Sequence, residues 1–347
     1  MNLSTIQRRV LHLFSVISVT LTAISLIVLY CLISPLKLVS YSCFIKLDKI
    51  LIGSFARIIG AWLTLLVYKV KDYRLGPDPN KIIDLASPSV KILIVCNHQT
   101  VLDAIIMYFI FDDKFMKFVL VWSKYYRFMI NGLIHKIRDD FGIDSSFKKG
   151  DFVEYWALNS RNHNTVGLCP EGAFRNVYLE SSFRYAEKNG LPQLTRTVWP
   201  RARAFLDIVD KRNGFTHIID ATIIVFEIID DDKSETINDD DQIVNDFNKI
   251  QSLKTVEQSD CVYKVPRSKL NESWLQQLWL SKDSMMNSFY QDKDNFVDKF
   301  TSNCYNQINL FRIMNFLLAN SVYIPMGSAT IYLIYLSIAA IFKILIL

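Results

Sequence analysis

The sequence predicts an α/β protein: a mixed sheet flanked by helices, anchored by N-terminal and C-terminal membrane helices. Three observations predict it. Apolar runs with almost no formal charge occupy both ends of the 347-residue chain. Between them, short apolar stretches alternate with helical patterns, as strands and helices do when wound together. Two of those stretches then stop at turns that carry chemistry. Ile92 to Cys96 ends at Asn97-His98, and Thr165 to Cys169 ends at Pro170-Glu171-Gly172. Functional groups at strand ends are what an open α/β sheet presents.

Composition narrows the class. Hydrophobic residues make up 51% and charged residues 21%, with mean hydropathy +0.19, too apolar for a typical soluble enzyme. A net charge of +5 suits an anionic membrane surface or a phosphate-bearing substrate and is too small to argue for nucleic acid. The six cysteines form no CxxC pair and no Cys/His cluster with zinc-like spacing. They read as free thiols, which places the globular part on the cytosolic side.

In chain order, Val10 to Leu36 carries no Asp, Glu, Lys or Arg, follows Arg8-Arg9 and precedes Lys37. That is long enough to span a bilayer, and no short core with a cleavage site marks it as a signal peptide. Ile50 to Tyr68 is apolar but interrupted by Arg57, so residues 1–70 form either a helical hairpin or one span with a surface helix. Leu75 to Pro88, with three prolines and a glycine, is the linker into an α/β domain over 71–310. Lys114 to Gly150 interleaves aromatic and basic residues, which fits a lipid-facing surface or a helix with its aromatics turned inward.

The spacing predicts a helix over Asn176 to Lys188, stopped by Asn189-Gly190. It also predicts a short strand over Leu194 to Trp199 and a helix over Arg203 to Lys211. The β-branched run Ile218 to Ile229 is the best buried strand. Asp230 to Asp246 is acidic but lacks the Gly and the closing Glu of a calcium loop, so it reads as a solvated insert, taken as 230–258. Cys261 to Val265 returns to the sheet, and Asn271 to Lys299 is an amphipathic helix. Residues 311–347 hold a further membrane segment, with a helix from about Met326 onward.

Three clusters can carry chemistry. His98 and Asp103 have the makings of a general base and the carboxylate that orients it. Thr100-x-x-Asp103 is equally a helix capping box, and on spacing alone that is the better account. Glu171, Gly172 and Arg175 combine a glycine turn with a guanidinium, which can approach a phosphate, although Pro-Glu-Gly is also an ordinary turn. Arg196, Arg201 and Arg203 surround Pro200, where they could complete an anion site or be solvated. No G-x-S-x-G, P-loop or H-E-x-x-H pattern occurs, against serine hydrolase, nucleotide hydrolase and zinc protease chemistry.

Together these residues resemble the glycerophospholipid acyltransferase family, whose first motif is N-H-x-x-x-x-D and whose third centres on P-E-G-T. The first is Asn97 to Asp103 and the third is Pro170-Glu171-Gly172-Ala173. Phe183 to Arg203, Asp220 to Ile223, and Trp274-Leu275 with Lys282-Asp283 through Tyr290 are similar to the lysophosphatidic-acid and lysocardiolipin branch. The resemblance implies an integral membrane enzyme of the endoplasmic reticulum that moves an acyl group from acyl-CoA to a lysophospholipid hydroxyl. It implies His98 and Asp103 as the catalytic pair, and Glu171 and Gly172 with Arg201 around the acceptor, where the glycine-turn reading adds Arg175. It also implies membrane lipids, acyl-CoA and lysophospholipid as the partners, without a metal or other cofactor. Two positions depart from the pattern: Asp144 stands where the second motif has a phosphate-binding arginine, and Ala173 replaces threonine. They motivate the alternative, a catalytically inactive lipid-binding scaffold of the same fold.

Overall fold

A computed structural model describes residues 5–62, 71–74, 90–100, 116–121, 130–226, 252–263, 270–291, 301–303 and 325–329, with Asp103, Met107 and Tyr332. The expected linker at 75–88, most of the acidic insert and most of residues 311–347 lie outside the described residues. The chain divides into two compact units, a helical one (1–67, 124–139, 307–347) and an α/β one (68–123, 140–306).

In the helical unit, α1 (Thr5–Ile33) runs into the short α2 (Leu36–Val39) and then α3 (Tyr41–Trp62). Among the described residues one stretch, Thr20–Val39, is long and apolar enough to cross a membrane, and only 22% of it is buried. A core helix of a soluble domain would be mostly covered. Further along, α4 (Ile130–Ile137) belongs to the same unit. It is held by Arg138, whose Nε donates to Asp48 Oδ1 at 3.0 Å, with both side chains fully buried. Tyr30 of α1 donates to the same oxygen, so three helices meet at one carboxylate. Gly327 is required where it stands. A Cβ there would come within 2.3 Å of the Leu21 carbonyl oxygen, so only a residue without a side chain permits this close backbone approach.

Among the described residues the α/β unit has eight strands: β1 (Lys71–Arg74), β2 (Ile92–Cys96), β3 (Met116–Val121), β4 (Phe141–Ile143), β5 (Thr165–Leu168), β6 (His217–Phe226), β7 (Ser252–Tyr263) and β8 (Thr301–Asn303). Their order in the sheet is β4-β3-β5-β2-β6-β7-β1-β8. The five strands from β4 to β6 are all parallel. Beyond them β7 runs antiparallel to β6, so the sheet is mixed, as expected. Every residue of β2 is buried, which is why it reads as a continuous apolar run without alternation.

Helices cover the sheet: α5 (Asp151–Asn159), α6 (Arg175–Asn189), α7 (Ala202–Ile208) and α8 (Glu272–Gln291). Helix α6 ends where its Asn-Gly predicted. Gly190 is left-handed, its N–H reaches the Glu187 carbonyl, and the Leu191 N–H reaches Ala186 at 2.9 Å, a Schellman stop. Helix α5 has no cap of its own. Asp207 of α7 supplies one, accepting the N–H groups of Gly150 at 2.6 Å and Phe152 at 2.9 Å. The core between helices and sheet packs Leu93, Val95, Phe152, Trp156, Trp199, Phe205, Leu275 and Trp279.

Three expectations are corrected. Lys114 to Gly150 contains a strand, Met116–Val121, that its mixed composition hid, because Lys117 is fully buried inside it. Leu194 to Trp199 is not a strand. Its N–H groups at Thr195, Arg196 and Thr197 bond to the Asp283 carboxylate, not to a neighbouring strand. The insert taken as 230–258 overlaps β7, whose pairing with β6 begins at Ser252.

Candidate active site

The site is assembled where two adjacent parallel strands, β2 and β5, end side by side. Beyond β2 the backbone leaves the sheet at Asn97, and the Asn97 side chain completes the pairing it abandons. Its Oδ1 accepts the Ile223 N–H at 2.7 Å and its Nδ2 donates to the Ile223 carbonyl at 2.9 Å. A buried amide that satisfies both backbone groups of one residue on β6 fixes the point of departure, and His98 follows at once.

The imidazole Nδ1 of His98 lies 2.7 Å from Asp103 Oδ2. A carboxylate beside Nδ1 selects the tautomer with the proton there, which leaves the Nε2 lone pair free. The same Oδ2 accepts the N–H groups of Gln99 at 2.7 Å and Thr100 at 3.0 Å. The Thr100 bond is the return half of a capping box, so the two readings of the spacing are both realised by one oxygen. Asp103 is fully buried while the His98 side chain is 25% exposed, so only the imidazole faces outward. Burial pushes the Asp103 carboxyl up, and its bonds to His98, Thr100 and Gln99 oppose that. On its flank, the Phe174 ring lies 4.4 Å from the imidazole centroid, tilted by 57°.

Glu171 sits at the end of β5 and is 1% exposed. Oε2 accepts the backbone N–H of His98 at 2.8 Å, and Oε1 accepts the indole N–H of Trp279 at 2.8 Å. Burial raises its carboxyl to about 7 against those two donors. Both oxygens are therefore engaged inside the protein, on groups that hold the site together. Gly172 follows with φ +81°, a left-handed turn closed by its N–H on the Cys169 carbonyl at 3.2 Å. Ala173 is half-buried within this turn.

The basic residues converge from three directions. Arg175 opens α6, and its Nε is buried without a hydrogen-bond partner among the described residues. Burial and the nearby Arg196 charge lower its pKa. Arg196 Nε donates to Asn287 at 3.1 Å, with the guanidinium 4.4 Å from the Tyr290 ring centre. Arg201 joins the Glu171 turn through its backbone N–H on the Pro170 carbonyl at 2.8 Å, and its guanidinium lies over Tyr178 at 4.2 Å. Arg203 instead donates to the Phe147 carbonyl at 2.6 Å. Asp144 ends the edge strand β4 and accepts the Ser146 N–H at 2.8 Å, closing its own turn.

Sequence reasoning missed the part played by α8. Trp279, Lys282, Asp283 and Met286 line one face of it, and each reaches a different piece of the site. Trp279 holds Glu171, and Met286 S receives the Asn97 amide at 3.6 Å. Lys282 binds Asp220 and the Ala221 carbonyl. Asp283 gathers three consecutive N–H groups at 195–197 and thereby presents Arg196. The available signal was a Lys-Asp pair on the apolar face of a helix, where charges are buried only if they are paired.

Among the described residues no group of three His, Cys, Asp or Glu could hold a metal ion. Cys96 and Cys169, both free, lie at the ends of the neighbouring strands β2 and β5, and the hydrogen bond with Cys96 together with burial pushes the Cys169 thiol well up. A protonated thiol there is packing, not a nucleophile.

No protein-family model matches the chain, and no solved structure matches it. A curated protein of Caenorhabditis elegans named "Putative 1-acyl-sn-glycerol-3-phosphate acyltransferase acl-12" is 26% identical over 199 residues, 51% of this chain. The match spans 47%, about half, of that relative's length. The likeness is distant, and it supports the resemblance to acyltransferases.

Proposed function

We propose that this chain is an integral membrane acyltransferase that transfers a fatty acyl group from acyl-CoA to the hydroxyl of a lysophospholipid. The observation that carries the reading is His98: its Nδ1 is tied to a buried carboxylate, and its ring is exposed at the junction of two parallel strand ends. The name of the Caenorhabditis elegans relative points to the same reaction class.

In this reading Nε2 removes the acceptor's hydroxyl proton as the oxygen attacks the thioester carbonyl. Asp103 holds the ring and stabilises the imidazolium that forms. The tetrahedral intermediate collapses with cleavage of the C–S bond, and the imidazolium returns the proton to the leaving thiolate. A thioester is already activated, so the step calls for no metal or prosthetic group. The acceptor's phosphate falls to Arg175 and Arg196, because two neighbouring guanidiniums, one with an unused buried donor, are stabilised by an anion between them. Arg201 borders the same turn. Glu171 and Gly172 shape the acceptor end by fixing the turn. The apolar Thr20–Val39 stretch supports a membrane location, with the endoplasmic reticulum and a cytosol-facing site as the specific expectation.

The test is thiol release from acyl-CoA in membranes containing the protein, against a panel of lysophospholipids, with the acylated product identified. We expect turnover with at least one acceptor and its loss in His98→Ala, with membrane extraction unchanged. Undiminished activity in that variant would overturn the mechanism. Lipid binding without turnover on any acceptor would favour the scaffold reading, which Asp144 and Ala173 motivate.

A further inference from the structure

A buried carboxylate is costly unless its oxygens are matched by donors. At Glu171 they are matched one to one: the His98 amide on Oε2 and the Trp279 indole on Oε1, each at 2.8 Å. Only a carboxylate satisfies this geometry. A glutamine would offer one acceptor and turn its NH₂ against the other donor. The arrangement thus links α8 to the backbone of His98 through one rigid side chain. Trp279 is fully buried, so its N–H has no water to turn to, and Glu171 at 1% exposure has none either.

The His98 amide matters because it is the hinge of the ring. Upstream, Asn97 is pinned to Ile223; downstream, the N–H groups of Gln99 and Thr100 are pinned to Asp103. The amide of His98 lies between these two anchors, and Glu171 holds it. We propose that Trp279 is a positioning residue for His98, acting through Glu171. The indole N–H keeps the Glu171 carboxylate in the one orientation that grips the His98 amide, and so sets where Nε2 meets the acceptor hydroxyl. This rests on the reading of His98 as the general base.

The bland account is that Trp279 is core and its N–H merely found a partner. A double-mutant cycle separates the two. Trp279→Phe keeps an aromatic ring and removes the donor; Glu171→Gln removes the group it acts through. We expect Trp279→Phe to lower kcat about tenfold, the size of one charge-assisted hydrogen bond, with KM for both substrates within about twofold. In the Glu171→Gln background the same substitution should change kcat by less than about twofold. Leu278→Ala, which empties the same helix without touching Glu171, should lower the melting temperature and leave kcat within about twofold.

Equal losses from Trp279→Phe in both backgrounds would overturn the proposal, as would a Trp279→Phe variant that loses only thermal stability. If Glu171→Gln turns over too slowly to assay, the amide proton of His98 in protein labelled at its five histidines decides the matter. Trp279→Phe should move that resonance and Leu278→Ala should not; an unmoved resonance overturns the link. A fully active His98→Ala variant would instead overturn the reading of His98 as the base, whatever Trp279 does. An inactive His98→Ala beside a fully active Trp279→Phe overturns only the positioning role.

Discussion

Two acid–base pairs sit on this sheet, one just beyond the end of β2 and one within β6, and they are built to opposite purposes. Asp103 with His98 and Asp220 with Lys282 both join a fully buried carboxylate to a basic partner. Burial pushes both carboxyls up, and the partner opposes it in each. They differ in the partner. Lys282 is sealed at 0% exposure and spends its three donors on Asp220, the Ala221 carbonyl and Thr222 Oγ1. His98 spends one nitrogen on Asp103 and exposes the ring that bears the other. A base with every donor spent can only hold structure; a base with one nitrogen left over can move a proton. Each carboxylate keeps one buried oxygen without a partner among the described residues, so saturation of the basic partner, more than burial or charge, separates the two.

The comparison can be broken from either side. The largest effect is expected at the open pair. His98→Ala should cut turnover by about 10²–10⁴-fold with little change in melting temperature. Asp103→Asn should cost a comparable factor by favouring the wrong tautomer. A thermal collapse in His98→Ala would put the open pair in the same structural class as the sealed one. At the sealed pair, Lys282→Met should destabilise the fold by about 3–5 kcal/mol, because it strands the Asp220 carboxylate. Adding Asp220→Leu should recover most of that, read by thermal unfolding in detergent. A Lys282→Met variant that unfolds normally but loses turnover would assign Lys282 to catalysis.

Glu171 gives a pH signature between these extremes. Its carboxyl lies at about 7 when folded, above its ordinary 4.5, so between those values the folded chain keeps a proton that the unfolded chain has lost. Stability from this group is therefore greatest below pH 4.5, declines as pH rises to 7 and is level above that. The decline amounts to as much as about 3 kcal/mol. Glu171→Gln should flatten that part of the stability profile relative to the parent protein; an unchanged slope would mean that the carboxylate is not the titrating group. The smallest effect belongs to Asp210 with Arg212, where the guanidinium holds the carboxyl at about 2 on an exposed turn. Arg212→Ala should leave the melting temperature unchanged within error at neutral pH.

The capping-box question shows how far local pattern reaches. Thr100-x-x-Asp103 fits a cap and His98-x₄-Asp103 fits an orienting carboxylate, and spacing alone cannot choose because both need the same short reach. The fold makes the choice unnecessary, since one Oδ2 accepts from His98, Gln99 and Thr100 together. For Glu171 the outcome is different. A carboxylate at a glycine turn reads as open to substrate, yet α8 closes over it and turns it inward. That closure joins residues 108 positions apart, beyond any local signal.

By itself, the sequence determined the elements whose physics is local. Ile92–Cys96 is a buried strand because five apolar residues in a row cannot face water. Helix α6 stops at Gly190 because the left-handed turn there suits glycine, and Thr20–Val39 is long and apolar enough for a bilayer. Only the tertiary structure decided what the polar residues do. Leu194 to Trp199 has strand composition but bends around Asp283, and Met116–Val121 is a strand despite a buried lysine. Lys282 and Asp283, charges on a helix's apolar face, become its docking points. The reason is that apolar burial follows from a residue's own side chain and its near neighbours. A polar group's energy depends on which partner the fold brings to it, and that partner is as a rule remote in the chain.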